Sequence, residues 1–314
     1  MSDSEFERIA RLRAKLASPA PGVLVGIGDD AAVLAGGDPR ALVWTVDAQV
    51  EGVHFRRDLA TWHDVGWRSF MAAASDLAAM GAAPWGALSA LVLPASFDDA
   101  MLDALVEGQR RAAEIVGAPI VGGNLARGDA VSITTTLLGR VSTAVLRSGA
   151  RAGDGLWIAG SVGLAAAGFR ALEAKVQDAR IDAAVEAWRL PRARIADGLI
   201  MAPVATAAID VSDGLAQDVA HLARASGVRA AIDQRALLAH SGDALFEAAA
   251  ALGLDPSELA LNGGEDYALI AASPVSIAGF ARIGELREGQ GVTLVTPRGE
   301  EQLSPHGFDH FRTD

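Results

Sequence analysis

The spacing of hydrophobic and polar residues along the chain alternates between the period of strands and the period of helices. Residues 131–141 alternate threonine with apolar residues, as a half-buried strand does, whereas residues 65–80 are rich in alanine and follow helical spacing. The same criteria predict these further elements: strands at 41–46, 86–93, 156–159 and 267–271, a strand and turn at 120–124, and helices at 4–17, 98–116, 165–174 and 213–226. Because strands and helices alternate throughout, the predicted fold class is α/β or α+β.

A change in composition near residue 142 predicts a boundary between two domains. Ser142 and Thr143 precede a polar, glycine-containing segment at 147–154, and a second run of strands and helices follows. Segments of this kind are typical of domain boundaries, and 314 residues are enough for two domains of ordinary size. We therefore expect one domain at residues 1–141 and another at 142–314.

The balance of charge restricts the partners that the chain can bind. The formal net charge is -12, and no cluster of lysine and arginine is visible along the chain. Nucleic acids and anionic membranes require a basic face, so neither is an expected partner. An acidic protein can still bind a phosphorylated ligand if a metal ion or local arginines reverse the sign at the site.

The absence of cysteine and of targeting segments excludes several classes of site and location. The chain has no cysteine, which excludes disulfides, thiolate metal sites and a cysteine nucleophile. Residues 1–5 are acidic and no apolar segment of signal-peptide type follows, while the most apolar stretch, 70–94, is interrupted by Asp76. That stretch falls short of a membrane span. We expect a cytoplasmic protein.

The common nucleotide-binding motifs are missing. A P-loop requires a glycine-rich turn that ends in Lys-Ser or Lys-Thr, yet the only lysines are Lys15 and Lys175, and neither lies in such a turn. The Gly-x-Gly-x-x-Gly dinucleotide motif does not follow any predicted strand. A nucleotide would therefore have to be bound by another route.

Acidic residues at strand ends, glycine turns and helix starts supply that route. They are Asp29, Asp30, Asp47, Asp76, Asp210, Asp213, Glu265 and Asp266. Magnesium binds through a few carboxylates together with substrate phosphates. If these side chains converge in space, the chain has a magnesium site.

Each candidate also has a simpler interpretation. The side chains of Asp29 and Asp30 diverge, so at most one enters a site, and a solvated turn explains the pair nearly as well. Asp213 precedes a predicted helix and fits an N-cap. Asp76 is harder to dismiss, because a charge without a partner is costly inside an apolar helix. Structural or solvated roles fit the remaining candidates taken singly: His54, Arg147 and Arg151.

Taken together, these segments resemble the thiamine-monophosphate kinase family in order and spacing, over nearly the whole chain. The segments are Gly26-Ile27-Gly28-Asp29-Asp30, Glu51-Gly52-Val53-His54-Phe55, Ser75-Asp76-Leu77-Ala78-Ala79-Met80-Gly81, Arg147-Ser148-Gly149-Ala150, Ile209-Asp210-Val211-Ser212-Asp213-Gly214, Gly263-Gly264-Glu265-Asp266-Tyr267 and Gly307-Phe308-Asp309-His310-Phe311. The resemblance implies the fold of the aminoimidazole ribonucleotide synthetase superfamily. In that fold an N-terminal domain dimerises through its strands, and a C-terminal α/β domain covers the nucleotide.

The resemblance also implies the substrates and the site. The expected reaction transfers phosphate from ATP to thiamine monophosphate in a Mg²⁺-dependent homodimer, with Arg147 and Asp213 as catalytic residues. The residues expected to hold Mg²⁺ are Asp30, Thr45, Asp47, Asp76, Asn124, Asp210 and Asp213. Those expected to bind ATP are Gly123, Asn124, Arg147 and Ser212, and those expected to line the thiamine phosphate pocket are His54, Glu265 and Phe308. Because the acceptor phosphate oxygen is already an anion, no protein base is needed, and alignment with charge neutralisation suffices.

Three departures from the family pattern concern the metal site. Asn124 replaces an aspartate, so one magnesium ion is expected to bind more loosely. Arg68 replaces a lysine and keeps its charge, whereas Ala73 replaces an asparagine and loses a polar contact.

Two alternatives remain open at this point. Aminoimidazole ribonucleotide synthetase belongs to the same superfamily, whereas the selenophosphate synthetase and hydrogenase-maturation members are disfavoured because they use a cysteine or selenocysteine. A non-catalytic binder of thiamine phosphates or nucleotides is the other alternative, and it is motivated by Asn124 and Ala73.

Overall fold

Two mixed β-sheets organise the chain in the computed structural model, which describes residues 22–25, 29–36 and 40–304. The first sheet has the strand order β1-β2-β3-β6-β4-β5, and only β4 and β5 are parallel to each other. Its strands are β1 (Val23–Val25), β2 (Ala32–Ala35), β3 (Ala41–Val50), β4 (Ala83–Leu93), β5 (Ile120–Arg127) and β6 (Ser132–Val141).

Two long helices cover one face of this sheet, α1 (Trp62–Ala79) and α2 (Asp99–Val116). A capping box between Thr61 and Asp64 starts α1, and Gly81, with φ 65°, follows its last turn. The two helices approach so closely at Gly66 that a Cβ there would lie 1.9 Å from the carbonyl oxygen of Leu105. Only glycine fits there.

The second sheet has the order β13-β12-β9-β11-β7-β10-β8, with β9 and β12 parallel and the other pairs antiparallel. Its strands are β7 (Gly155–Ala159), β8 (Ala207–Val211), β9 (Arg229–Asp233), β10 (Ala268–Ser273), β11 (Ala281–Arg287), β12 (Gly291–Thr296) and β13 (Gly299–Leu303). The helices beside it are α3 (Leu164–Glu173), α4 (Asp182–Arg189), α5 (Ile195–Met201), α6 (Leu215–Ser226), α7 (Gln234–Leu252) and α8 (Pro256–Asn262), with a 3₁₀ turn at Ala179–Ile181.

Helix α1 connects the two sheets. Its N-terminal half packs under the first sheet, and Ala78 and Ala79 at its end belong to a hydrophobic cluster that includes Ala208 and Leu269 of the second sheet. The indole Nε1 of Trp67 donates a hydrogen bond of 2.6 Å to the carbonyl oxygen of Pro191. A helix buried on nearly all sides needs apolar residues all round, which explains its alanine-rich sequence.

The predicted elements are confirmed in type, with two exceptions in detail. Asp47 was expected at the end of a strand, but β3 continues past it to Val50. Gly122, Gly123 and Asn124 were expected in a turn, but they lie inside strand β5. The helix predicted at residues 4–17 lies outside the described residues.

The other face of the first sheet is apolar and has no helix over it among the described residues. Large side chains on this face are strongly exposed: Trp44 50%, Val46 63%, Trp85 50%, Leu88 45% and Val121 72%. In the described part of the chain, no helix is both long enough and apolar enough to span a bilayer.

Candidate active site

Three aspartates from distant parts of the sequence meet between the two sheets. One carboxylate oxygen each of Asp30, Asp76 and Asp210 lies within 4.8 Å of the others. Asp30 precedes β2, Asp76 lies inside the buried helix α1, and Asp210 is the fourth residue of the fully buried strand β8. We call this group the acidic cluster.

Strand β3 adds oxygen ligands beside the acidic cluster. Thr45 and Asp47 are two residues apart, so both side chains point to the same face of the sheet. The hydroxyl of Thr45 donates a short hydrogen bond to Oδ2 of Asp76. Asp47 is half-buried and accepts a hydrogen bond of 3.0 Å from Gln49 Nε2. Its charge is close enough to raise the pKa of Asp76.

Burial and mutual repulsion make the acidic cluster a poor place for several negative charges. Desolvation, followed by the charges of Asp210 and Asp30, raises the pKa of Asp76 well above its usual value. Desolvation and the charge of Asp30 raise the pKa of Asp210 to about 7. A bound cation would remove this repulsion, so the cluster favours a metal ion at neutral pH.

The donor set fits magnesium. Oδ2 of Asp30 is buried and has no hydrogen-bond partner among residues 22–25, 29–36 and 40–304. A buried carboxylate oxygen without a donor is costly, and a cation would satisfy it. All the neighbouring ligand atoms are hard oxygens from carboxylates and a hydroxyl, which is the set that Mg²⁺ prefers.

Arg147 brings a positive charge to the edge of the acidic cluster. Its guanidinium Nη2 lies 2.5 Å from Oδ1 of Asp30, and its backbone N–H donates to Oδ2 of Asp29 at 3.2 Å. The expected divergence of the aspartate pair is therefore observed, with Asp30 in the cluster and Asp29 bound to the backbone of Arg147. The pKa of Asp29 is raised by desolvation and then by the charge of Asp30.

The turn that carries Ser212 and Asp213 is organised by a residue that sequence reasoning missed. Oδ2 of Asp218 accepts hydrogen bonds of 3.1 Å from the backbone N–H groups of Ser212, Asp213 and Gly214. Helix α6 has Gly214 as its N-cap, so the N-cap interpretation of Asp213 is wrong. The charge of Asp213 acts on the pKa of Asp210, which places its carboxylate near the acidic cluster. The position of Asp218 in the first turn of α6 was the signal in the sequence that could have indicated this role.

The segment Glu265-Asp266-Tyr267 lies next to this turn in a constrained conformation. Glu265 and Tyr267 have φ values of 66° and 50°, which are rare for residues other than glycine. The N–H of Glu265 donates to the carbonyl oxygen of Ser212 at 2.7 Å. Asp266 accepts hydrogen bonds from the backbone at the start of α3, and burial raises its pKa to about 7.

The side chain of Glu265 is held by two residues from different parts of the chain. Nη2 of Arg68 lies 2.5 Å from Oε1 of Glu265, and Nε1 of Trp188 donates to Oε2 at 2.8 Å. The sequence indicated only that Arg68 keeps a positive charge, and it gave no signal for Trp188. Ala73, the other departure on α1, is fully buried in the hydrophobic cluster under the first sheet.

The remaining predicted residues lie apart from the acidic cluster. His54 is in the turn after β3, where its Nδ1 accepts a hydrogen bond of 3.1 Å from the N–H of Val50. Gly123 lies three strands away from Asp47 in the first sheet: Asp47 pairs with Thr135, Thr135 with Ser89, and Ser89 with Gly123. Asn124 follows Gly123 on the same edge strand. Three strand spacings correspond to roughly 14 Å, so the chain does not bring Gly123 and Asn124 to the cluster. Phe308 lies outside the described residues.

Comparison with known proteins identifies the group of enzymes that this chain resembles. A family model for the AIR synthase related protein, N-terminal domain, matches residues 28–141 and ends where β6 ends. The thiamine-monophosphate kinase of Mycobacterium tuberculosis is 40% identical over 98% of this chain and 91% of its own length. The Escherichia coli enzyme of the same name is 33% identical over the full length of both chains. The chain belongs to the thiamine-monophosphate kinase family.

Solved structures of the thiamine-monophosphate kinase family agree with the fold. AaThiL complexed with AMPPCP and TMP has a TM-score of 0.89 at 32% identity, covering 98% of this chain and 97% of its own. The thiamine-monophosphate kinase of Stenotrophomonas maltophilia has a TM-score of 0.75 at 33% identity, covering 94% and 97%. The hydrogenase maturation protein HypE, at 20% identity and a TM-score of 0.70 over 84% and 88%, shares the fold alone. The predicted fold class and the resemblance are thereby confirmed.

Proposed function

We propose that this chain transfers the γ-phosphate of ATP to thiamine monophosphate in a Mg²⁺-dependent reaction and forms thiamine diphosphate. The names of its relatives support this activity, as does the AaThiL complex with AMPPCP, an ATP analogue, and TMP. The observation that carries the proposal is the acidic cluster, where an unpartnered carboxylate oxygen of Asp30 lies beside Asp76 and Asp210 and next to Arg147.

Six of the seven residues that the sequence indicated are proposed to hold the metal at the cluster, and the seventh, Asn124, lies apart on the edge strand. Asp30, Asp76 and Asp210 form the centre, and Thr45, Asp47 and Asp213 surround it. When bound, Mg²⁺ would neutralise phosphate charge and hold the phosphates of the two substrates together. Burial and mutual repulsion raise the pKa values of Asp76 and Asp210, and a bound cation would relieve that repulsion.

Direct in-line transfer needs no protein base. The attacking group is a phosphate oxygen, which is an anion at neutral pH, so the protein has to align the substrates and stabilise charge. Arg147 is half-buried beside the cluster, and we assign it to the transferring phosphate group. Asp218 accepts from the backbone N–H groups of the turn that carries Ser212 and Asp213, so their side chains are assigned instead, Ser212 to ATP and Asp213 to the metal.

The acceptor pocket is proposed on the side of the site where Glu265 lies. Glu265 and His54 are half-buried, and the backbone of Glu265 is bonded to Ser212, so the acceptor side adjoins the nucleotide side. Phe308 completes the proposed set from the C-terminal segment. A thiazolium ring carries a positive charge, and a carboxylate in the pocket complements a cationic ligand.

We also propose a homodimer that packs through the apolar face of the first sheet. The exposed side chains of Trp44, Val46 and Val121 form the kind of surface that monomers rarely leave in water. Gly123 and Asn124 lie on the edge strand of that sheet, about 14 Å from Asp47.

The deciding experiment measures thiamine diphosphate formed from thiamine monophosphate and ATP, with and without Mg²⁺. We expect turnover that needs Mg²⁺ and is lost in Asp47→Ala and Asp213→Ala, while Asp103→Ala, an exposed aspartate on α2, serves as the matched control and stays active. Binding of thiamine monophosphate without turnover would favour a non-catalytic binder. Neither binding nor turnover would mean that the acceptor is another small molecule.

A further inference from the structure

We infer that Arg68 and Trp188 are positioning residues that hold the carboxylate of Glu265 ready for the thiamine group of the acceptor. The inference rests on the proposed function, because Glu265 is placed in the acceptor pocket there. Neither Arg68 nor Trp188 belongs to the acidic cluster or to the turn of Ser212 and Asp213.

The contacts form a closed triangle. Nη1 of Arg68 donates to the carbonyl oxygen of Trp188, and Nη2 of Arg68 lies 2.5 Å from Oε1 of Glu265. Nε1 of Trp188 donates to Oε2 of Glu265 at 2.8 Å. The guanidinium of Arg68 also stacks on the indole ring of Trp188, 4.5 Å from the ring centroid. Each carboxylate oxygen of Glu265 therefore has its own donor.

Exposure distinguishes the three partners. The side chain of Arg68 is 1% exposed and Trp188 is also 1% exposed, whereas the side chain of Glu265 is 34% exposed. The carboxylate is therefore the accessible end of an otherwise buried arrangement. A buried arginine and indole can fix the direction of this carboxylate, but neither can touch a ligand in the pocket.

The backbone of Glu265 explains why its side chain needs such support. Its φ of 66° places a residue with a Cβ in the left-handed region, and its N–H is bonded to the carbonyl oxygen of Ser212 at 2.7 Å. Strained backbone at a site persists only when surrounding contacts over-determine it. Here the main chain fixes where Glu265 starts, while Arg68 and Trp188 fix where its carboxylate points.

The arrangement also joins the two parts of the fold. Arg68 comes from α1, which packs under the first sheet, while Trp188 and Glu265 come from the segment that follows the first sheet. A purely structural ion pair between these parts would stabilise the protein without acting on the acceptor. The experiment therefore has to separate acceptor binding from stability.

Trp188→Phe removes one indole N–H and keeps the ring under Arg68. Trp157→Phe is the matched control, because it removes an indole hydrogen bond of 3.2 Å to the carbonyl oxygen of Ser273 in the second sheet. We expect Trp188→Phe to raise KM for thiamine monophosphate roughly tenfold, with KM for ATP unchanged, since hydrogen bonds to charged groups are the strong ones. Both substitutions remove one indole hydrogen bond and should lower Tm by similar amounts, but Trp157→Phe should leave both KM values unchanged.

A mutant cycle tests whether Trp188 acts through Glu265. In a Glu265→Ala background, Trp188→Phe should have no further effect on KM for thiamine monophosphate. Arg68→Lys keeps the charge but cannot form both bonds of the guanidinium fork, so its KM should lie between those of the wild type and Trp188→Phe.

The outcomes separate the inference from the proposed function. If the wild-type chain does not phosphorylate thiamine monophosphate, the proposed function fails. If the wild type is active but Trp188→Phe lowers Tm without moving the acceptor KM, or acts equally in the Glu265→Ala background, the positioning role is overturned.

Discussion

The acidic cluster and the Glu265 carboxylate are two anionic regions of the proposed site, and their charges are compensated in different ways. In the cluster, Asp30, Asp76 and Asp210 approach one another within 4.8 Å, and an oxygen of Asp30 has no hydrogen-bond partner in the described part of the chain. At Glu265, both carboxylate oxygens already have donors. The cluster is therefore suited to a cation, whereas two donors fix the direction of the Glu265 carboxylate.

The largest expected effect comes from reducing the negative charge of the cluster. Asp210→Asn should lower kcat by at least about a hundredfold, because it removes electrostatic stabilisation at the metal site. The same change should raise Tm in EDTA, since it relieves the repulsion that raises the pKa of Asp210. Turnover and thermal unfolding measure the two effects. A lower Tm in EDTA would contradict the account of the cluster as a strained site.

Glu265→Gln provides the opposite case. It removes the negative charge that pairs with the buried Arg68 and turns one of the two acceptor oxygens into a donor, so it should lower Tm in EDTA. The two substitutions therefore have opposite signs in the same measurement, although each replaces one carboxylate by an amide.

A smaller effect is expected at Asp218, which organises the turn of Asp213 without belonging to the cluster. Asp218→Ala leaves the three N–H groups of this turn without their acceptor, which should cost about 1–3 kcal/mol of unfolding free energy and raise the Mg²⁺ concentration for half-maximal rate. Asp218→Asn keeps an acceptor oxygen and should retain most of both properties. Chemical denaturation and magnesium titration test this pair, and equal behaviour of the two variants would exclude the acceptor role.

The pH dependence of stability follows from the sign of the shift at Asp210. Its pKa is about 7 in the folded chain against 3.8 as the reference value, so the folded state binds this proton more tightly than the unfolded state. The contribution is complete below about pH 4 and is lost as the pH rises through 7. In EDTA, Tm should therefore fall between pH 6.5 and 8. His221, whose pKa is lowered from 6.5 to about 4 by folding, opposes this fall only at the lower end of the range, where the unfolded histidine still binds a proton.

The response to Mg²⁺ distinguishes the pH dependence that Asp210 causes from the pH dependence that other buried carboxyl groups cause. Mg²⁺ bound at the cluster as proposed would compete with the proton at Asp210, so the stabilisation by Mg²⁺ should increase from pH 6.5 to 8. Asp266, whose pKa is also raised to about 7 by burial, retains its own pH dependence in Asp210→Asn, but that part should not respond to Mg²⁺. Stabilisation by Mg²⁺ that is constant over this range would contradict the assignment.

The smallest expected effect is at Asn124 on the edge strand. Asn124→Asp restores a carboxylate where the family has one, and it should lower the Mg²⁺ concentration for half-maximal rate a few-fold without changing Tm in EDTA, because Asn124 is exposed and remote from the cluster. Magnesium titrations of the two proteins test this. An unchanged magnesium requirement would show that this position is not a ligand.

Several parts of the fold and site could be predicted because their signals are local. The apolar spacing of α1 and the alternation of β6 determine their element types within a few residues. Asp76, which lies in the acidic cluster, was recognisable as a candidate because a carboxylate inside an apolar helix has to have a partner. The spacing of the aspartate motifs indicated a metal site, and the resemblance indicated which family uses it.

Other features were decided only by the tertiary structure. The sequence did not show that Asp218 fixes the turn of Asp213, that Trp188 and Arg68 hold Glu265, or that Asn124 lies on the edge strand away from Asp47. Each of these depends on contacts between residues distant in sequence, or on strand order, and the local pattern carries no information about either. The sequence by itself determined which residues could perform the chemistry, and packing of the two sheets around α1 decided which of them meet.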